Sequence, residues 1–254
     1  MPPVSESDYP EAFQLAGRQL DACMQQSGLK GFRWIKMLPS KPAFADLVFG
    51  FGGRMYAVLL VAMSRQRKVE GGHEATFDIP RDRLQLLVTE CSRHALEPVV
   101  FPLWPGVMQP LTDGWNLFSP VDSRAVVPSD EAELSRLPVP MSRWELFNFC
   151  MQRVLHEIRD NRGRILAFGD LPEALPHLWF EDAEGHRAWL VVAADFGAAL
   201  PHLPGAVAEL RSRLPRECSA YVARMAVESA AHPGAHPQRG EVLRIHYSGM
   251  ERIS

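Results

Sequence analysis

The sequence lacks most of the short motifs that mark a catalytic or cofactor-binding chain. It contains no Gly-x-x-x-x-Gly-Lys-Ser/Thr phosphate loop and no Gly-x-Ser-x-Gly nucleophile turn. Its four cysteines are far apart and none forms a Cys-x-x-Cys pair. We therefore expect buried free thiols in a reducing compartment, and neither disulfides nor a metal site. The longest apolar run, residues 56–63, is too short to cross a bilayer.

The chain also has little net charge and little lysine. The formal net charge is −3, and only four of the 27 basic residues are lysine. No overall cationic field attracts nucleic acid or anionic lipid, so we expect no membrane partner and regard nucleic acid as a secondary possibility. The first eleven residues have neither an apolar core nor a basic leader. With an arginine preference typical of GC-rich genomes, these features predict a cytoplasmic bacterial protein.

What the sequence does contain is an internal repeat. Residues 46–63 align without a gap on residues 177–194, at a constant shift of 131 positions. Six identical apolar pairs support the shift: Leu47/Leu178, Phe49/Phe180, Ala57/Ala188, Leu59/Leu190, Val61/Val192 and Ala62/Ala193. A Leu-x-x-Glu-Cys-Ser block follows each copy, at residues 87–92 and 214–219. The repeat predicts an α+β protein of two tandem, pseudo-symmetric lobes.

Each half reads as helix, strand, strand, helix, strand, strand. The first lobe is predicted over residues 1–127 and the second over 141–254, joined by an acidic, Pro-rich linker at 128–140. Ser142 and Glu145 form a capping box that starts a helix. Leu87, Val88 and Cys91 give the apolar stripe of another helix. Residues 65–73 read as a loop, and the proline inside residues 98–104 predicts an edge or irregular strand.

No catalytic residue, cofactor or metal ligand is predicted. The glycine-rich stretch at residues 50–53 lies in a hairpin between two apolar strands, whereas a dinucleotide site needs a strand, a turn and then a helix. His232 and His236 are four residues apart, but the intervening and following prolines exclude the helix that would align them on one face. A solvated loop is the simpler interpretation of these histidines.

The order of the elements resembles the restriction-endonuclease-like nuclease core. In that family an Asp on one strand and a Glu-x-Lys on the next bind Mg²⁺, and Asp46 resembles the first of these residues. The following strand should read Leu-Val-Glu-x-Lys but reads Leu-Leu-Val-Ala-Met at residues 59–63, and the second copy has His177 in place of the Asp. The resemblance therefore implies lobes that have lost their metal site.

These observations favour a non-catalytic bacterial interaction protein that binds a toxin, a secretion component or a regulator. A nucleic-acid-binding or divergent nuclease-like protein is the first alternative, and a small-molecule sensor that uses the cleft between the lobes is the second. Glu181, Asp182 and Glu184 in the second hairpin turn are the candidate partner-binding residues, because three carboxylates could steer a basic protein. The same acids could instead only keep the turn soluble.

Overall fold

The fold is that of a computed structural model, which describes residues 8–27, 33–36, 43–51, 54–69, 72–77, 79–104, 109–128, 139–195, 203–215 and 217–253. The chain forms two compact units. The first comprises Met1–Pro39 and Phe44–Arg136, and the second comprises Ser40–Ala43 and Leu137–Ser254. Most of the predicted linker, residues 129–138, lies outside the described residues.

The first unit contains two described helices and one mixed sheet. Its elements are α1 (Tyr9–Ser27), β1 (Arg33–Lys36), β2 (Leu47–Phe51), β3 (Arg54–Val69), β4 (Gly72–Phe77), α2 (Arg81–His94), β5 (Glu97–Trp104), β6 (Gln109–Pro110), β7 (Leu117–Phe118) and β8 (Ala125–Val126). The strand order is β1-β2-β3-β5-β7-β8, with β4 paired to β3 and β6 paired to β5. The strand β4 and the helix α2 connect β3 to the parallel strand β5, and all other pairs are antiparallel.

The second unit repeats this topology. Its elements are α3 (Arg143–Asp160), β9 (Arg164–Phe168), β10 (Leu178–Glu181), β11 (Arg187–Asp195), α4 (Leu203–Arg213), β12 (Ser219–Ser229) and β13 (Leu243–Arg252). The order β13-β12-β11-β10-β9 matches β7-β5-β3-β2-β1, and α4 joins the parallel strands β11 and β12. The α+β fold class is confirmed. Before its second helix the first unit has two strands more than predicted, β1 and β4, and the second unit has one more, β9. The strands β1 and β9 are short and carry charged residues, so the sequence did not predict them.

The gapless alignment of the two copies is wrong by one residue on its second strand. Asp46 donates its amide to the Val58 carbonyl oxygen at 2.8 Å, and His177 donates its amide to the Leu190 carbonyl oxygen at 3.1 Å. Asp46 and His177 thus correspond at a shift of 131, whereas Val58 and Leu190 correspond at 132. Because side chains alternate along a strand, the aligned pair Leu59 and Leu190 face opposite sides of their sheets.

Both sheets bury apolar side chains against helices. In the first unit Ala12, Ala16 and Leu20 of α1 pack in one cluster with residues of β2, β3 and β5. In the second unit Val207 and Leu210 of α4 pack against β11 and β12. Among the described residues no helix is long and apolar enough to cross a membrane.

Two local predictions are wrong. Residues 65–69 continue β3, which pairs with β4 where a loop was predicted. The Pro-containing strand β5 was predicted to be an edge or an irregular strand, and it is irregular and not at the edge: it pairs with β3 on one side and, in two short pieces, with β6 and β7 on the other. The Asn116 side chain donates to the Pro102 carbonyl oxygen at 2.9 Å. The second wrong prediction is the apolar stripe of α2. In α2, Val88 is 39% exposed, whereas Glu90 and His94 are buried.

Candidate functional site

Asp46 and His177 occupy equivalent positions, each immediately before the first strand of the repeated hairpin. In the first unit the buried Asp46 carboxylate has partners on both oxygens. Oδ2 accepts the Leu60 amide at 2.7 Å, and Oδ1 accepts the Tyr9 hydroxyl at 2.9 Å. The guanidinium of Arg83 approaches Oδ1 to 3.8 Å. Asp46 therefore ties the start of β2 to the next strand and to α1.

The surroundings of Asp46 combine one buried cation with aliphatic side chains. Lys36 on β1 is 1% exposed, and its ammonium donates to the Ala45 carbonyl oxygen. On β3, Leu60 belongs to the hydrophobic core of the unit and is also 1% exposed. Its side chain has no oxygen or nitrogen with which to hold a metal ion beside Asp46.

His177 also accepts a backbone amide of the adjacent strand, in this case with a neutral imidazole ring. Its Nδ1 accepts the Val192 amide at 2.9 Å, and its Nε2 lies 3.0 Å from the Pro172 carbonyl oxygen. Nε2 must therefore carry the hydrogen. Burial lowers the pKa of His177 to about 4; the bond to Pro172 raises it in part, and the charge of Arg143 lowers it further. The edge-on ring of Phe147, 4.7 Å away between centroids, belongs to the same apolar environment.

The three candidate partner-binding acids lie together at the β10–β11 turn. The Arg164 guanidinium donates to Glu181 Oε2 at 2.9 and 2.6 Å, so this carboxylate is paired with a cation. Asp182 Oδ1 accepts the amides of Glu184 and His186 at 3.0 and 2.9 Å. These hydrogen bonds lower the pKa of Asp182, and the bond from the His186 amide has the largest effect. Only Glu184 extends largely into solvent.

Sequence reasoning missed the partners of these acids. Arg164 reaches Glu181 because β9 pairs with β10, and the sequence did not predict β9. His186 Nδ1 lies 3.5 Å from Asp182 Oδ2 and 3.6 Å from Glu184 Oε2, so the turn places three potential ligand atoms within 4.8 Å of one another. Whether the acids bind a partner stays a prediction.

A groove of about 720 Å³ lies beside this turn in the second unit. Its apolar lining comes from Leu166 and Ala167 of β9, Trp179 of β10, and Pro215 and Cys218 beyond α4. We call this surface the Trp179 groove. Gly185, His186, Arg187 and Glu217 complete its lining. Two other grooves on the described residues measure about 380 and 280 Å³.

The two loop histidines each have a separate partner. His236 Nε2 lies 2.7 Å from the Met141 carbonyl oxygen, and His232 Nδ1 lies 3.5 Å from a carboxylate oxygen of Glu241. The loop is further held by Arg239, whose guanidinium binds the fully buried Glu145 carboxylate at 3.0 and 2.9 Å. This part of the chain therefore folds back onto the start of α3.

No family model matches the chain, and neither a curated protein nor a solved structure is significantly similar to it. Its chemistry must be inferred from the geometry itself. The equivalent residues Asp46 and His177 each bind a backbone amide of the adjacent strand, whereas the Trp179 groove presents an apolar surface beside charged groups.

Proposed function

We propose that this chain is a non-catalytic protein-binding protein, and that its partner is a toxin, a secretion component or a regulator. The observation that carries the proposal is the use of Asp46 and His177. Each accepts a backbone amide of the adjacent strand, from Leu60 in one unit and from Val192 in the other. Side chains that hold the sheet in this way are poorly placed to serve a reaction cycle.

The aliphatic neighbours of these residues support the same conclusion. Under the nuclease-like resemblance, a carboxylate on β3 would face Asp46 and a lysine would follow two residues later. Val61 and Met63 stand at those places in the sequence of the first unit, and Val192 and Ala194 stand at them in the second. Mg²⁺ requires oxygen ligands and is usually held by one or two carboxylates with several waters. A lobe with such neighbours retains a surface for binding but has lost the donor set for hydrolysis.

A nucleic-acid-binding or divergent nuclease-like protein is the second candidate. One observation favours it: each unit runs helix, antiparallel strands, helix and a parallel strand, with four antiparallel strands in the first unit and three in the second, which is close to the element order of the resemblance. The net charge of −3 disfavours it, because nucleic-acid affinity depends on neutralising phosphates with Lys and Arg.

Affinity purification of the tagged chain from its native host tests the proposal. We expect a stoichiometric protein that remains bound after the lysate has been digested with nuclease. Recovery of nucleic acid without such a protein would support the second candidate instead.

A cleavage assay on plasmid and single-stranded DNA with Mg²⁺ or Mn²⁺ tests the absence of nuclease activity. We expect no cleavage by the wild-type protein. Cleavage that disappears in Asp46→Ala would overturn the proposal, because it would show that Asp46 serves a reaction.

A further inference from the structure

A bulge in β13 turns the end of this strand towards α4. The pairing with β12 shifts in register next to Gly249, where β13 has one residue more than β12. Gly249 has a φ of +100°, a backbone conformation that favours glycine. Side chains alternate along a regular strand, so Tyr247 and Ile253 would share one face. Instead Tyr247 lies against Arg153 of α3, whereas Ile253 packs in the cluster of α4.

The turned end of β13 forms one wall of the groove of about 380 Å³. The helix α4 forms another wall, and β12 contributes to the lining. Its floor is aliphatic and comprises Val207 and Ala208 of α4, Val222 of β12, and Ile253. We call this surface the Arg252 groove. Its described lining contains no aromatic residue.

The charge of the described lining is predominantly positive, with three guanidinium groups against one carboxylate. The cations are Arg211, Arg224 and Arg252, and the acid is Glu251. The other two charged residues of α4, Glu209 and Arg213, lie outside the lining and pair with each other at 3.0 Å. The Arg252 groove should therefore attract carboxylates and repel basic groups.

Neutral acceptors position two of the three guanidinium groups. Arg211 donates to the carbonyl oxygen of the residue after β13, and Arg252 donates to the Ser219 hydroxyl, both at 3.1 Å. Neither bond cancels a positive charge. Arg224 lies 3.4 Å from the Glu251 carboxylate, but the two side chains are 60% and 69% exposed, so solvent weakens this attraction. A carboxylate from outside the chain can therefore compete for the groove.

The aliphatic floor favours a protein segment over nucleic acid as the occupant. Surfaces that bind single-stranded nucleic acid combine basic groups with aromatic side chains on which the bases stack, and the described lining offers no such ring. An aliphatic floor instead removes an apolar side chain from water. Guanidinium groups beside it bind carboxylates through paired N–H donors.

We propose that the Arg252 groove docks a segment of the protein partner in which Asp or Glu residues flank a large apolar side chain. The inference rests on the proposed protein-binding function and adds the site and the chemistry of the ligand. The apolar side chain packs against Val207, Val222 and Ile253, while the flanking carboxylates bind Arg224 and Arg252.

Selection from a display library of random dodecapeptides tests this inference with a defined probe. We expect enriched peptides that carry a large apolar residue flanked by Asp or Glu, and whose affinity falls as salt is raised. The double variant Arg224→Glu, Arg252→Glu should weaken the selected peptides by about ten-fold or more. Arg159→Glu is the matched control, because Arg159 is an exposed arginine of α3 outside the groove and should leave binding unchanged.

Two further variants separate the apolar contact from the charge. Ala208 is exposed and lines the groove, so Ala208→Trp should fill the floor and weaken the peptides by about ten-fold without a change of charge. Glu251→Gln removes the acid that competes for Arg224 and should strengthen binding by about two- to five-fold. Circular dichroism and thermal midpoints establish that the variants are folded.

The outcomes distinguish this inference from the general function. Failure to enrich any peptide, enrichment of basic peptides, or equal binding to wild type and the double variant would each overturn the Arg252 groove as the docking site. A single-stranded DNA dodecamer that binds more tightly than the peptides, and is lost in the double variant, would assign the groove to nucleic acid. A dimer in sedimentation that the double variant dissociates would show that a second copy is the occupant, which also overturns the inference. A native partner that binds wild type and the double variant equally would do the same but leave the proposed function standing.

Discussion

Acidification should destabilise the second unit through His177. The folded protein holds this histidine neutral, because burial lowers its pKa to about 4 from the ordinary histidine value of 6.5. Below pH 6.5 the unfolded chain binds a proton that the folded chain does not bind, so stability present above pH 6.5 is lost as the pH falls towards 4. The difference between the two pKa values corresponds to about 3 kcal/mol.

Most of this loss falls in an experimentally convenient window. Between pH 7.5 and 5 the histidine should lower the free energy of unfolding by about 2 kcal/mol. The pKa values of Asp182 and Glu228 are lowered from the ordinary 3.8 of aspartate and 4.5 of glutamate, so the stability that these carboxylates contribute is lost mainly below this window. The measurement is urea unfolding followed by tryptophan fluorescence, with hydrogen exchange to show which unit opens.

His177→Asn supplies the matched control. The asparagine Oδ1 can take the place of Nδ1 as acceptor for the Val192 amide, but the side chain does not titrate. We expect the variant to be less stable at pH 7.5, because the bond to Pro172 is lost, and to show a much flatter dependence on pH. Equal losses of unfolding free energy in wild type and His177→Asn between pH 7.5 and 5 would refute the reasoning.

Three further perturbations should reduce stability in denaturant unfolding. Glu145→Gln or Arg239→Ala should each lower the free energy of unfolding by about 3–5 kcal/mol, because the remaining charged partner stays buried: the side-chain exposure is 8% for Arg239 and 0% for Glu145. Replacing both residues by apolar ones should cost less. An equal cost would argue against the pair. Gly163→Ala should cost about 1–3 kcal/mol, since its Cβ would lie 2.7 Å from a side-chain carbon and 3.0 Å from two carbonyl oxygens. Gly205→Ala, with nothing within 4 Å of the new Cβ, should be neutral or stabilising. Val61→Asp should cost several kcal/mol because Val61 is fully buried, and a thermal midpoint near that of the wild type would contradict this.

Local signals in the sequence predicted local structure well. The capping box of Ser142 and Glu145 is present, with the Glu145 amide donating to the Ser142 hydroxyl and the Ser142 amide donating to the Glu145 carboxylate. The second role of Glu145 could not be predicted, because its partner Arg239 is 94 residues away. The same applies to Glu181 and Arg164, whose contact depends on the pairing of two short strands.

The register of the repeated hairpin could not be read from the sequence. Residues 55–61 of β3 and residues 188–194 of β11 are buried without interruption, so neither strand alternates between apolar and polar residues. A displacement by one residue moves every side chain to the other face, yet both faces accept apolar groups. Identical apolar residues therefore align well at the wrong register, and the extra residue becomes evident from the strand pairing and from the hydrogen bonds of Asp46 and His177.

The two lengths of the hairpin turn show where this fold accepts additional chain. Four residues lie between the paired residues Gly50 and Met55, and five lie between the equivalent pair Glu181 and Arg187, so the second turn is longer by one residue while the order of the strands is unchanged. Lengthening a surface turn costs little free energy, because the entropy of loop closure grows only slowly with length. An epitope tag or a small reporter domain inserted between Phe51 and Arg54 should therefore leave the first sheet intact. The hairpin turn of the first unit is thus the natural attachment point for a label that keeps the Trp179 groove of the second unit unmodified.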